Sequence, residues 1–276
     1  MKRSPRGVLL DWRRRGKPPR KIVIIGDVHV PHHDEEAVAV AVAVCRAWIG
    51  DEAGEVWQTG DLCEAGRFTR HPRRSRQDEA PHPWLHELEL AGAFWDELRD
   101  ACPNARMHWR LGNHEGRIER ELVQCPWGDE VADALSPARV QDGRPWLTVH
   151  AWNRPTDAGP LLVLPDLALP HGAAEGRHAT AAHLDLFAPL SVAHGHTHRV
   201  AHVVRRLADG RHQHALSPGC LARRQPAFFG ERPSGHAHGI VLIDVLDDGW
   251  SPCVLTIEGP PGRRRCLVPG LGEVRA

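Results

Sequence analysis

Three times before residue 114, a short apolar run breaks off at a glycine followed at once by a polar side chain: "KIVIIGD" (Lys21–Asp27), "EVWQTGD" (Glu55–Asp61) and "ARMHWRLGN" (Ala105–Asn113). Each run has the length and bounding residues of a buried strand, and helical patterns separate them. "DEEAVAVAVAVCRAWIG" (Asp34–Gly50) opens on acidic capping residues, and "PWLHELELAGAFWDELRD" (Pro83–Asp100) carries Pro at its first turn. In the latter, Trp84, Leu88, Ala91 and Trp95 recur at helical spacing, which marks a core face. "HEGRIERELV" (His114–Val123) follows the third strand as a short helix. Such strand-loop-helix repeats collect the polar residues at the carboxyl ends of parallel strands, where ligands bind in open α/β sheets.

After Pro145 the texture turns to strands and hairpins. "RPWLTVHAW", "PLLVLPDLALP", "LSVAHG", "HRVAHVVRRLADGRHQHALS" and "GIVLIDVLDDGWSPCVLTIEG" read as β, with "ADGR" and "DDGW" as tight turns. Only "GRHATAAHLDLFA" (Gly176–Ala188) looks helical there. An α/β half followed by a β half predicts two packed sheets with helices outside. At 276 residues, one large core is expected over residues 21–258. A basic extension (1–20) precedes it, and a Pro/Gly/Arg-rich tail (259–276), expected to lie at the periphery, follows.

Lys plus Arg and Asp plus Glu both number 35, so no overall field draws the chain onto nucleic acid or membrane, and any basic site is local. No apolar run approaches the roughly 18 residues of a membrane span, and the opening "MKRSPRGVLLDWRRRGKPPR" is charged where a signal peptide is apolar. A cytoplasmic protein is the expectation. The seven cysteines are an odd number, scattered, with no C-x-x-C pair, so reduced thiols are expected rather than disulfides or a zinc-thiolate site. Oligomeric state is left open.

The strand ends supply the chemistry: Asp27 and His29 in "GDVH", Asp61 in "GDLCE", Asn113 and His114 in "GNHE", His171 in "PHG", and His196 and His198 in "GHTH". In D-x-H and H-x-H an extended backbone puts both side chains on one face. Oxygen and imidazole donors without thiolate suit Mn, Fe, Zn or Ni, and two divalent ions are the natural reading. A carboxylate between the ions, for which Asp61 is nominated, offsets their repulsion. With Asp27, Asp61 and a bridging hydroxide set against two divalent ions, a charge of about +1 remains, which suits an anionic substrate such as a phosphate ester.

The ordered series "GDVH", "GDLCE", "GNHE", "HG" and "GHTH" resembles the calcineurin-like metallophosphoesterases across roughly residues 21–258. That resemblance implies a four-layer α/β/β/α sandwich. It implies one metal held by Asp27, His29, Asp61 and His198, and another by Asp61, Asn113, His171 and His196. His114 would stabilise the transition state or protonate the leaving alkoxide, and His194 has no role in the scheme. His171 is preferred over His150, His178 and His183 because Gly172 follows it and its 25-residue step to His196 fits the family pattern. The implied reaction is phosphoester hydrolysis by a metal-bridging hydroxide.

Glu64, Glu115 and Arg117 flank these residues and are placed to orient ligands, Arg117 also to contact substrate. Cys63 reads as a small buried side chain. The loop "EAGRFTRHPRRSRQDEAPHP" (Glu64–Pro83) holds Arg67, Arg70, Arg73, Arg74 and Arg76 beside the metals. Through Arg70, Arg73 and Arg74 it would contact phosphates flanking the scissile one, favouring a phosphodiester and admitting nucleic acid as a partner. The alternatives are a solvated flap, a phosphomonoesterase or protein phosphatase of the same family, and a non-catalytic phosphate- or nucleic-acid-binding scaffold.

Overall fold

A computed structural model describes residues 20–69, 82–124, 128–152, 160–224 and 234–276. Strands β1 (Lys21–Ile25), β2 (Gly54–Gln58), β3 (Arg106–Arg110) and β4 (Leu147–His150) pair in parallel, in that spatial order. β5 (Leu162–Leu164), β6 (Leu167–Ala168), β7 (Ser191–Ala193), β8 (Val200–Arg206) and β9 (His212–Pro218) form a second sheet, ordered β5-β6-β7-β9-β8. β10 (Gly239–Val245) returns antiparallel to β1 in the first sheet, and β11 (Trp250–Glu258) pairs with β10 across the expected "DDGW" hairpin.

Four layers result. Helices α1 (Glu35–Trp48) and α2 (Trp84–Ala101) cover the outer face of the first sheet, where Val40, Val44, Trp95 and Leu98 meet Val23, Val56 and Met107. Ile22, Ile24, Trp57 and Val241 on its inner face pack against Leu167, Ala193 and Leu216 of the second sheet. α5 (Ala179–Leu186) closes the far side through Leu184 on Val192 and Ala215. Trp84, Ala91 and Trp95 are buried as their spacing predicts. α3 (Glu115–Gln124) follows β3, and α4 (Gly128–Leu135), which the sequence reading did not anticipate, lies before β4. Among the described residues no helix is long and apolar enough to cross a membrane.

The segment after Glu258 differs from the peripheral tail expected of it. β12 (Arg265–Val268) and β13 (Gly272–Val274) extend the first sheet, with Cys266 and Val268 buried. Composition hid this because the turns consume the Pro and Gly while the strand residues alternate. The junction is pinned to the start of α1: the Glu36 carboxylate accepts from the Gly262 and Arg264 amides at 2.6 Å each, and buried Arg264 donates Nε to Asp34 Oδ1 at 2.9 Å and Nη2 to Oδ2. Asp34 also caps α1 by accepting from Ala37 N at 3.0 Å.

Burial alone would lift the Asp34 carboxyl, but Arg264 and the Ala37 amide hold it below its ordinary 3.8. An acid depressed by folding stabilises at neutral pH and loses that contribution as pH falls through the folded value. Arg264→Ala should therefore cost about 2 kcal/mol in urea unfolding at pH 7, with the difference from wild type shrinking below pH 3.8. A difference independent of pH would contradict this account of the junction.

Candidate metal centre

The parallel strands β1, β2 and β3 of one sheet and β6 and β7 of the other discharge toward the same cleft. Asp27 follows β1, Asp61 follows β2, Asn113 follows β3, His171 follows β6, and His196 and His198 follow β7. His29 lies two residues beyond Asp27, and its amide and that of Val28 donate to the Asp61 carbonyl at 3.0 and 3.1 Å. Close backbone approach makes this convergence possible. A Cβ on Gly112 would collide with Asp61 Oδ1, and one on Gly195 with Asp27 Oδ1.

Five described non-glycine residues have positive φ, and four of them are His29 (57°), Asp61 (53°), His196 (71°) and His198 (55°). Such conformations cost on the order of 1–3 kcal/mol each and persist where the surroundings over-determine them. Glu115 supplies part of that determination. Fully buried, it accepts from Asp61 N at 3.1 Å and Gly112 N at 2.7 Å on one oxygen, and from Cys63 N at 2.8 Å on the other. It thereby ties the exits of β2 and β3 together.

Two clusters of imidazole nitrogens and carboxylate oxygens result. His29 Nδ1–H donates to Glu64 Oε2 at 2.7 Å, so in the neutral ring Nε2 carries the lone pair. That nitrogen lies 3.1 Å from His198 Nε2, which is itself 3.2 Å from Asp27 Oδ2. In the second cluster, His171 Nδ1–H donates to the Thr59 carbonyl at 3.0 Å, so in the neutral ring Nε2 carries the lone pair. That nitrogen lies 2.9 Å from Asn113 Oδ1 and 3.0 Å from Asp61 Oδ2, and His196 Nδ1 is 2.8 Å from the same Asn113 oxygen. Asp61 Oδ2 is also 4.0 Å from His29 Nε2, so the carboxylate stands between the clusters. With neutral rings these acceptors would face one another, and a second proton on each ring or a bound cation relieves the contacts. Asp27, His29 and His198, and separately Asp61, His171 and His196, have donor atoms close enough to hold a metal ion. Carboxylate, imidazole and amide oxygen fit the transition ions expected from the sequence.

Without a metal, protons take that place. Burial opposes a charge on His29, yet the Glu64 carboxylate lifts it to about 9. Burial likewise opposes a charge on His171, and Asp61 lifts it to about 9. Burial raises the Asp27 carboxyl against the pull of His171, whereas Asp61, despite burial, is held well below 3.8 by His114 and His171. Burial and the neighbouring His29 push His198 well below its ordinary 6.5.

His114 stands outside both clusters. Its amide donates to Asp61 Oδ1 at 2.8 Å, its Nδ1–H donates to the Glu64 carbonyl at 2.7 Å, and its Nε2 faces Asp61 Oδ2 at 3.8 Å. Arg117 Nη1 donates to that same Glu64 carbonyl at 3.1 Å. With His29, Glu64 and His114 form a further group whose donor atoms lie close enough for a metal. Arg67 donates to the His82 carbonyl at 3.0 Å, while Arg70, Arg73, Arg74 and Arg76 fall outside the described residues.

His150 lies elsewhere, 3.2 Å from His108 and stacked beside Trp57. His194 answers to packing: fully buried and pushed down to about 3 by burial and by His183, it stacks on His183 at 4.0 Å and meets Thr180 Oγ1 at 3.0 Å, fastening α5 behind the loop. Sequence reasoning missed His236, which touches His198. The signal was another H-x-H, His236 and His238 in "GHAHG". Cys63 is buried, with its thiol 3.9 Å from the Glu87 carbonyl.

The architecture is thus a two-sheet α/β sandwich with a carboxylate and imidazole cluster where both sheets end. No protein-family model matches the chain. An alignment of 127 residues, covering 43% of the chain, is 30% identical to Nesprin-2 of Mus musculus, of which the chain spans 2%. Vps29 of Chaetomium thermophilum superposes with a TM-score of 0.43 at 12% identity, over 86% of this chain and 91% of that one. Neither likeness bears on activity.

Carboxylates that orient metal-binding imidazoles typically matter by 10–100-fold in affinity. Glu64→Ala should accordingly weaken Mn²⁺ binding by about tenfold or more in equilibrium dialysis. Unchanged affinity would show that His29 does not need Glu64 to present Nε2.

Proposed function

We propose that this protein is a dinuclear metal-dependent phosphoesterase of the calcineurin-like kind, with Mn as the working ion and phosphodiesters preferred to monoesters. The observation that supports it is the meeting of two carboxylate and imidazole clusters at Asp61. Asp27, His29, Asp61 and His198 would hold one ion, and Asp61, Asn113, His171 and His196 the other. When bound, such a pair supplies Lewis-acid activation of water and charge stabilisation at phosphoryl oxygens.

The chain's residues determine what such a site accepts. Asp27 and Asp61 bring one negative charge each, while Asn113 and neutral imidazoles bring none, so the loaded cleft keeps a positive surplus and favours an anionic ester. His114 directs the proton. Its Nδ1–H is committed to the Glu64 carbonyl, so the acid form is the imidazolium, which carries its second proton on Nε2 at the cleft side, gives it to the departing alkoxide oxygen and is left as the neutral Nδ1–H ring. Arg117, tied to that carbonyl, sits where a guanidinium can steady a non-bridging phosphate oxygen. The diester preference rests on Arg70, Arg73 and Arg74: a polynucleotide presents neighbouring phosphates to them, and a monoester does not.

The deciding experiment offers bis-nitrophenyl phosphate and nitrophenyl phosphate to the protein with Mn, Fe(II), Zn or Ni. Hydrolysis of the diester, faster than of the monoester and abolished by chelator, is expected; no hydrolysis with any ion would contradict the reading. His114→Asn should slow esters of poor leaving groups by about a hundredfold or more and nitrophenyl esters far less, with bound metal unchanged. Equal losses on both would remove the proton-donor role. Neutralising Arg70, Arg73 and Arg74 together should flatten the salt dependence of oligonucleotide cleavage and spare the small diester; identical salt slopes would make the loop a solvated flap.

A further inference from the structure

His198 presents its Nε2 to Asp27 and His29, and its opposite nitrogen, Nδ1, lies 3.2 Å from one ring nitrogen of His236 and 3.5 Å from the other. The rings meet edge to face, with centroids 4.4 Å apart. His236 is held there by backbone pairing: the Ala237 amide donates to the His198 carbonyl at 2.8 Å, and the Ala237 carbonyl accepts from Cys220 N at 2.9 Å. The His236 ring is also hydrogen-bonded to the Arg223 backbone carbonyl.

A neutral imidazole has one N–H and one bare nitrogen. The Arg223 carbonyl only accepts, so the His236 proton goes there. The other His236 nitrogen then has an acceptor lone pair, and His198 Nδ1–H is a donor within reach. That assignment leaves the His198 lone pair on Nε2, the atom turned toward Asp27 and His29. We infer that His236 is a positioning residue that, through Arg223, fixes the tautomer of His198 and so readies the Asp27, His29 and His198 cluster for a cation. The inference rests on the proposed assignment of His198 as a metal ligand.

Cys220 adds a competing arrangement, because its thiol with His198 and His236 forms a group whose donors are close enough to hold an ion of their own. The relay is favoured because that thiol is fully buried and directed at the Ala222 carbonyl at 3.9 Å. Both nitrogens of His236 have hydrogen-bond work in the relay, and both nitrogens of His198 have assigned directions.

The test uses ¹⁵N-histidine-labelled, metal-free full-length protein, with His198 assigned by the resonance lost in His198→Gln. Long-range ¹⁵N–¹H spectra should show His198 protonated on Nδ1 in wild type and in His236→Asn, whose amide accepts and donates in the same places. His236→Ala should shift His198 toward the Nε2–H tautomer. In Mn²⁺ titrations, His236→Ala should weaken one of two binding steps by about ten- to a hundredfold and leave the other, with His236→Asn within a few-fold of wild type. Identical His198 tautomers in wild type and His236→Ala would overturn the relay, as would unchanged Mn²⁺ steps. A thiolate-to-Co²⁺ charge-transfer band that vanishes in Cys220→Ser would also overturn it, by making His236 a ligand. Wild type binding no Mn²⁺ would sink the metal-centre reading, and the metal-free spectra would still decide the relay.

Discussion

A buried gathering of imidazole nitrogens and carboxylate oxygens is the constraint on which the rest of this structure depends. His29 Nε2 and His198 Nε2 stand 3.1 Å apart with Asp27 beside them, and His171 Nε2 stands 3.0 Å from Asp61 and 2.9 Å from the Asn113 carbonyl oxygen. The Nδ1 hydrogens point away, to Glu64 and to the Thr59 carbonyl, so the inner side is left for a second proton or a metal ion. With its Nδ1 protons turned outward, the chain turns inward donor atoms close enough together to hold a metal ion.

Much of the fold serves that arrangement. Two sheets are needed because neither alone supplies enough strand ends: the first delivers Asp27, Asp61 and Asn113, and the second delivers His171, His196 and His198. Left-handed backbone at His29, Asp61, His196 and His198 is tolerated because the sandwich core and the Glu115 carboxylate hold the loops from behind. His194 and His183, stacked behind "GHTH", do the same from the side of α5.

The strand ends were readable from sequence because a buried strand announces itself by an unbroken apolar run, and a glycine followed by Asp or Asn marks its close. His171 was selected over His150 by its following glycine, and the fold places His171 in the cluster and His150 on β4 beside Trp57. What was not legible depends on long-range contacts. Nothing in "RRRCLVPGLGEV" indicates that Glu36, more than 200 residues earlier, caps its turn and lets it add two strands to the sheet. His236 could be noticed only as a second H-x-H; its contact with His198 arises from the pairing of residues 198 and 237. The direction of Glu64 toward His29 was legible only as proximity to Asp61 in the chain.

The central claim is that two cations belong between these acceptors, joined by Asp61. Anomalous diffraction at the manganese edge from crystals soaked in Mn²⁺ tests it most directly. The account predicts two peaks in wild type, one among Asp27, His29 and His198 and one among Asn113, His171 and His196, with Asp61 reaching both, and loss of occupancy at both in Asp61→Ala. A single peak, a peak confined to His29, Glu64 and His114, or undiminished peaks without Asp61 would contradict it.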